Sequence, residues 1–212
     1  MFLPQISQMN ADKPRMAFTL IELLVVIAII GLLSGLVVGL LPLASTWKVK
    51  HRVKAELSQI ETAIETYKEK RGFYPPDNTN KVNRSSLYYE LLATTLANGI
   101  YTTLNGDGSL PAAGVNAAFD NTISGFINCN ALADDAKSFF DTVKANQIRA
   151  DAAGVKFLGI SINGPSGNWP GGDFCPWFYN SSNPVHNPGA FDVWVEVIVN
   201  GKTNTFGNWK QD

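Results

Sequence analysis

Histidine and cysteine are scarce in this chain, with two of each: His51 and His186, Cys129 and Cys175. So few soft ligands exclude a dense disulfide scaffold, and none of the four stands in a zinc-ligand spacing. A glycine-rich phosphate loop is also missing, and no nucleophile–base pair is present, so no catalytic residue and no enzyme activity are expected. The formal net charge is −1. There is thus no basic excess to neutralise phosphates, and no nucleic-acid partner is expected. Charge is absent altogether from Leu23 to Trp47. At about 1.5 Å per helical residue such a run can cross a hydrocarbon core of about 30 Å, so a transmembrane helix is expected.

What is present begins with the segment before that run. Residues 1–17 form a polar leader with Lys13 and Arg15 near its end. Ordinary signal-peptidase cleavage fits poorly, because the small-residue candidate Ala44 follows Pro42 and the apolar run is long for a signal core. Glu22 is the only charge between Arg15 and Lys48. A carboxylate in an apolar run is costly unless paired, which marks it as a functional candidate. Gly31, Gly35 and Gly39 lie four apart, a ridge that permits close helix approach. Lys48, Lys50, Arg52 and Lys54 follow the run. Their charge alone would favour the cytoplasmic side for what comes after, against the orientation given below.

Beyond the run, Val49, Val53, Leu57, Ile60, Ile64 and Tyr67 recur at helical spacing. They predict one amphipathic helical face packed on a domain. A single helix from about Thr19 to Arg71 is expected, disturbed at Pro42 and capped at Gly72. Leu87–Leu92 has helical spacing, and 105–108 reads as a turn. Residues 131–148 read as a helix with Leu132, Phe139, Phe140, Val143 and Ile148 as its apolar set. Phe157–Ile162 reads as a strand. Residues 191–206 read as a hairpin turning at Asn200-Gly201.

Ala17 followed by Phe18-Thr19-Leu20-Ile21-Glu22 behind a basic leader resembles the processing signal of type IV pilins and type II secretion pseudopilins. Residues 13–77 carry this likeness. Residues 174–209, with Pro176-Trp177, Phe191-Asp192-Val193-Trp194 and Asn208-Trp209, resemble the major pseudopilins in particular. The resemblance implies an α+β pilin fold: a long N-terminal helix, half membrane-spanning and half amphipathic, packed on a small antiparallel sheet with a C-terminal hairpin. The implied divisions are a leader at 1–17, a transmembrane half-helix at 18–43, a stalk half-helix at 44–72 and a head at 73–212. Residues 77–155 form an insertion beyond the family pattern.

The resemblance further implies cleavage by prepilin peptidase between Ala17 and Phe18, N-methylation of Phe18, and pairing of Glu22 with the Phe18 amine of a neighbouring subunit. The usual Gly before the cut is Ala17 here. The implied function is a structural subunit of a pseudopilus filament in type II protein secretion. A type IV pilus subunit (adhesion, motility or DNA uptake) and a membrane-anchored binding protein or enzyme are the alternatives. Implied partners are copies of itself, other pseudopilins, the peptidase, an inner-membrane assembly platform and membrane lipid. The implied location is the bacterial inner membrane, single-pass, with a cytoplasmic N-terminus and a periplasmic head. In that setting Cys129 and Cys175 are either bridged or two buried free thiols. The family's calcium site would fall to Asp173 and Asp192. Calcium needs about six to eight oxygens, so no cofactor is expected, and turn capping is the other role for these aspartates.

Overall fold

The structure, a computed structural model, describes residues 18–130, 136–140 and 142–210, and at 37–45 the helical backbone without side chains. The expected leader, Ala17 included, lies outside the described residues. The chain divides into two compact units, 1–45 and 46–212.

Helix α1 spans Leu20–Arg71, and its assignment continues through Pro42. Within the second unit its apolar stripe is buried as expected: Val53, Leu57, Ile60, Ile64 and Tyr67 are at most 7% exposed, and Val49 packs beside them. The helix ends where Gly72 takes φ +84° and donates its N–H to the Lys68 carbonyl at 2.7 Å. That left-handed cap is available to glycine without a Cβ penalty.

Helix α2 (Leu87–Leu92) is buried on every side. After it in the chain come strands β1 (Thr94–Ala97), β2 (Ile100–Thr103) and β3 (Ser109–Pro111), then helix α3 (Ala112–Ala118). A 3-10 turn at Ala145–Gln147 leads into β4 (Ile148–Ala150), β5 (Lys156–Ile160) and β6 (Cys175–Pro176). Strands β7 (Phe178–Asn180), β8 (Asp192–Val199) and β9 (Lys202–Gly207) complete the chain.

These strands form three separate three-stranded antiparallel sheets, β1-β2-β3, β4-β5-β6 and β7-β8-β9. With four helices among the described residues, this corrects the expected pilin arrangement of one small sheet against a long apolar helix. No helix among the described residues is long and apolar enough to cross a membrane. The apolar stretch with described side chains, 20–36, rises about 25 Å at about 1.5 Å per residue, against about 30 Å of hydrocarbon. The expected transmembrane helix and single-pass inner-membrane location are corrected with it, and with them the pseudopilin and secretion description that rested on a membrane span.

A chain of rings joins the first two sheets. Tyr89 stacks on Phe126 at 4.5 Å, and Phe126 meets Tyr101 of β2 edge-on. Phe119, Phe157, Trp169 and Phe174 continue the contact toward β6. Tyr89, Tyr101, Phe119 and Phe126, all within residues 77–155, are therefore built into this core.

The expected C-terminal hairpin is present. Asn200 and Gly201 hold φ +52° and +73°, the left-handed pair of a two-residue turn, and Val199 faces Lys202. Strand β8 alternates cleanly: Val193, Val195 and Val197 are buried, while Trp194, Glu196 and Ile198 face outward.

The helix expected at 131–148 is corrected. Its described residues are irregular up to the 3-10 turn, and Ile148 begins a strand. Backbone groups there bond outward instead of to the preceding helical turn. The Phe139 N–H donates to the Leu91 carbonyl, and Asn128 holds both the N–H and the carbonyl of Lys137.

Candidate assembly surface

In the first unit, the side chains from Phe18 to Leu36 are exposed all round the helix. Phe18 and Leu20 are each 81% exposed, and even the least exposed large residue, Val26, is 45% exposed. Gly31 and Gly35 have open space where a Cβ would stand. A helix apolar on every side has no water-facing stripe and needs cover from other atoms.

Glu22 sits in the first turn of this helix. Its Oε2 accepts from the Thr19 N–H at 2.8 Å and the Thr19 hydroxyl at 2.7 Å, and its own N–H donates to Thr19 Oγ1 at 3.3 Å. This reciprocal capping box satisfies otherwise orphaned N-terminal donors. The Thr-x-x-Glu spacing at 19–22 is its sequence signal, which the reading of Glu22 as an isolated charge overlooked.

The remaining candidates lie apart from one another. Cys129 and Cys175 are both buried and free. Burial, aided by Glu196, pushes the Cys175 thiol up to about 12, and it donates to the Ile162 carbonyl at 3.2 Å. A neutral, buried thiol is inert.

Asp173 pairs with Arg149 at 2.9 Å near the surface. Asp192 is 2% exposed and ringed by donors: the N–H groups of Val185, His186 and Asn187 at 2.7–2.9 Å, and the Asn187 amide at 3.1 Å. Its oxygens are occupied in tying loop 185–187 to β8, so the two aspartates are not assembled as ligands. Among the described residues no group of three or more His, Cys, Asp or Glu is placed to hold a metal. Removing several buried donors' acceptor at once is costly. Asp192→Ala is therefore expected to lower unfolding free energy by about 3 kcal/mol and to open loop 185–187 to proteolysis. Urea titration and timed digestion check both.

Sequence reasoning missed two further buried carboxylates. Asp77 accepts from the N–H groups of Ser181 and Ser182 at 3.1 and 3.2 Å and from the Ser182 hydroxyl. Glu90, fully buried on α2, accepts from the Ile127 and Asn128 N–H groups at 2.8 and 3.0 Å and from the Tyr67 hydroxyl at 2.9 Å. Asn128 in turn takes a 2.6 Å bond from Arg71. Every such carboxylate faces donors of the fold itself, an arrangement suited to clamping loops. The uncovered apolar surface of 18–36 is then the feature that calls for a partner. Comparison with protein-family models, curated proteins and solved structures finds no match to this chain.

Proposed function

We propose that this chain is a non-catalytic structural subunit of a filament, joined to its copies through residues 18–36 of α1. The observation that carries the proposal is the all-round exposure of the apolar side chains there. Burying a Leu or Ile side chain contributes about 1.5–3 kcal/mol, so a few mutual contacts per copy suffice for association. Copies of one helix, each apolar on every side, can cover one another in a bundle. Cleavage between Ala17 and Phe18 and methylation of Phe18 belong to the same proposal. They expose an amine beside Glu22, whose Oε2 is held by Thr19. Such pairing sets register more than it adds stability.

Ile27 is 60% exposed within the segment. Ile27→Asp is expected to raise the concentration at which polymer forms by about a hundredfold or more, because an unpaired carboxylate would be buried between helices. Circular dichroism should stay unchanged. Light scattering of the mature chain measures the first effect. Polymer from the variant at wild-type concentrations would remove residues 18–36 from the joint.

A further inference from the structure

Asn-Gly pairs occur in the chain at 98–99, 105–106, 163–164 and 200–201. Such a pair can lose ammonia when the glycine nitrogen reaches the asparagine side-chain carbon, because glycine has no Cβ to obstruct the approach. The attack needs a glycine N–H free of hydrogen bonds and an asparagine amide free to turn. Gly106 donates its N–H to the Thr103 carbonyl at 2.8 Å, and Gly164 donates to the Gly172 carbonyl at 2.9 Å. Asn105 is held as well. Its amide donates to Asp107 Oδ2 at 3.0 Å, and its Oδ1 accepts the Asp107 N–H at 3.2 Å. In both of these pairs the attacking nitrogen is engaged.

The other two pairs turn two-residue hairpins with the same backbone. Asn98 and Gly99 hold φ +51° and +75° between the paired Ala97 and Ile100. Asn200 and Gly201 hold φ +52° and +73° between Val199 and Lys202. All four turn residues are exposed. Neither glycine N–H has a hydrogen-bond acceptor among the described residues. The asparagine side chains are what differ. Asn200 Nδ2 donates to Thr46 Oγ1 at 3.0 Å, and that hydroxyl donates to Asn200 Oδ1 at 3.3 Å. The Asn98 amide has no partner among the described residues.

We infer that Asn98 is a site of self-modification by deamidation, and that Thr46 shields Asn200 from the same reaction. The Gly99 nitrogen gives its proton to hydroxide and bonds to Cγ of Asn98. The Cγ–Nδ2 bond breaks, and the amide nitrogen leaves as ammonia with a proton taken back from water. Water then opens the resulting five-membered imide. Breaking the bond from the Gly99 nitrogen to Cγ gives aspartate at 98. Breaking its bond to the main-chain carbonyl carbon gives isoaspartate, with one more atom in the main chain. Nothing is oxidised or reduced. Aspartate fits the turn, since it tolerates a positive φ. Isoaspartate lengthens a turn whose Gly99 carbonyl accepts the Ala112 N–H at 2.8 Å, the bond that fixes the start of α3. Either product adds a negative charge to the turn.

The test incubates the full chain at neutral and mildly alkaline pH and follows each Asn-Gly site by peptide mass mapping. Acid should accumulate at 98 about tenfold faster than at 200, because two hydrogen bonds must break before the Asn200 side chain can turn. Positions 105 and 163 should also lag behind 98. The rate at 98 should rise with pH, because the attacking nitrogen must lose its proton. Thr46→Ala should bring the rate at 200 up to that at 98 and leave 98, 105 and 163 unchanged. Thr46→Ser keeps the hydroxyl and should keep the shielding. In urea the lead of 98 should disappear, because only the fold separates the sites. Equal rates at 98 and 200 in the folded chain, a Thr46→Ala variant in which 200 stays slow, or a lead of 98 that persists in urea would overturn the assignment.

Discussion

Glu90→Ala should lower the unfolding free energy by about 4 kcal/mol, measured by urea denaturation. Three buried donors converge on this carboxylate: two backbone N–H groups from 127–128 and the Tyr67 hydroxyl. Each donor left buried without an acceptor costs about 1–3 kcal/mol. Their loss also frees Asn128, which ties Arg71 at the end of α1 and the Glu90 carbonyl to the Lys137 backbone. The carboxylate thus links the end of α1, α2 and two loops.

Its titration gives a second readout. Burial raises the Glu90 carboxyl above its ordinary range, and the three donors offset this only in part. A carboxyl whose folded value is raised binds its proton more tightly in the folded state. Its contribution is full below the unfolded value of about 4.3 and is lost as pH rises through the folded value. The stability of wild type relative to Glu90→Gln should therefore fall as pH rises above about 4.3. A relative stability that rises with pH would mean that the donors outweigh burial.

Gly159→Val is expected to be comparably severe, costing about 3 kcal/mol or more. A Cβ at this position on β5 would collide with the Cys175 carbonyl oxygen on the paired strand and with the Phe174 ring just before it. Backbone on one side and a fully buried ring on the other leave nothing flexible to yield. Gly154→Ala offers the contrast. No atom lies near its Cβ position, and only the φ of +80° opposes the change, at about 1 kcal/mol. Thermal melts of both variants separate crowding from backbone conformation.

These two sites also show where sequence reading stops. Val53, Leu57, Ile60, Ile64 and Tyr67 were legible because one face of a long helix repeats its burial many times. The β8–β9 hairpin was legible because strict alternation met an Asn-Gly turn. Division into three sheets was not, because β6 is two residues and β3, β4 and β7 are three each. Strands that short carry no period.

The pair Phe139-Phe140 imitated a helical apolar set, yet Phe139 bonds to Leu91 and packs on Tyr67 at 5.3 Å. Glu90 was invisible because a charge in a short helix ordinarily marks the water-facing side, and two of its donors come from residues about forty positions away. At the assembly surface, Glu22 stood out by its apolar surroundings, whereas its Thr19 partner was legible and overlooked. Asp192 was read as either a ligand or a turn cap, and its four donors fit the second role.

The account turns on how residues 18–36 are covered. Electron cryomicroscopy of particles formed by the mature chain, starting at Phe18, tests this most directly. The account predicts helical filaments in which the 18–36 segments of successive copies pack on one another. A chain that stays monomeric, or filaments joined through the second unit with 18–36 left facing solvent, would contradict it.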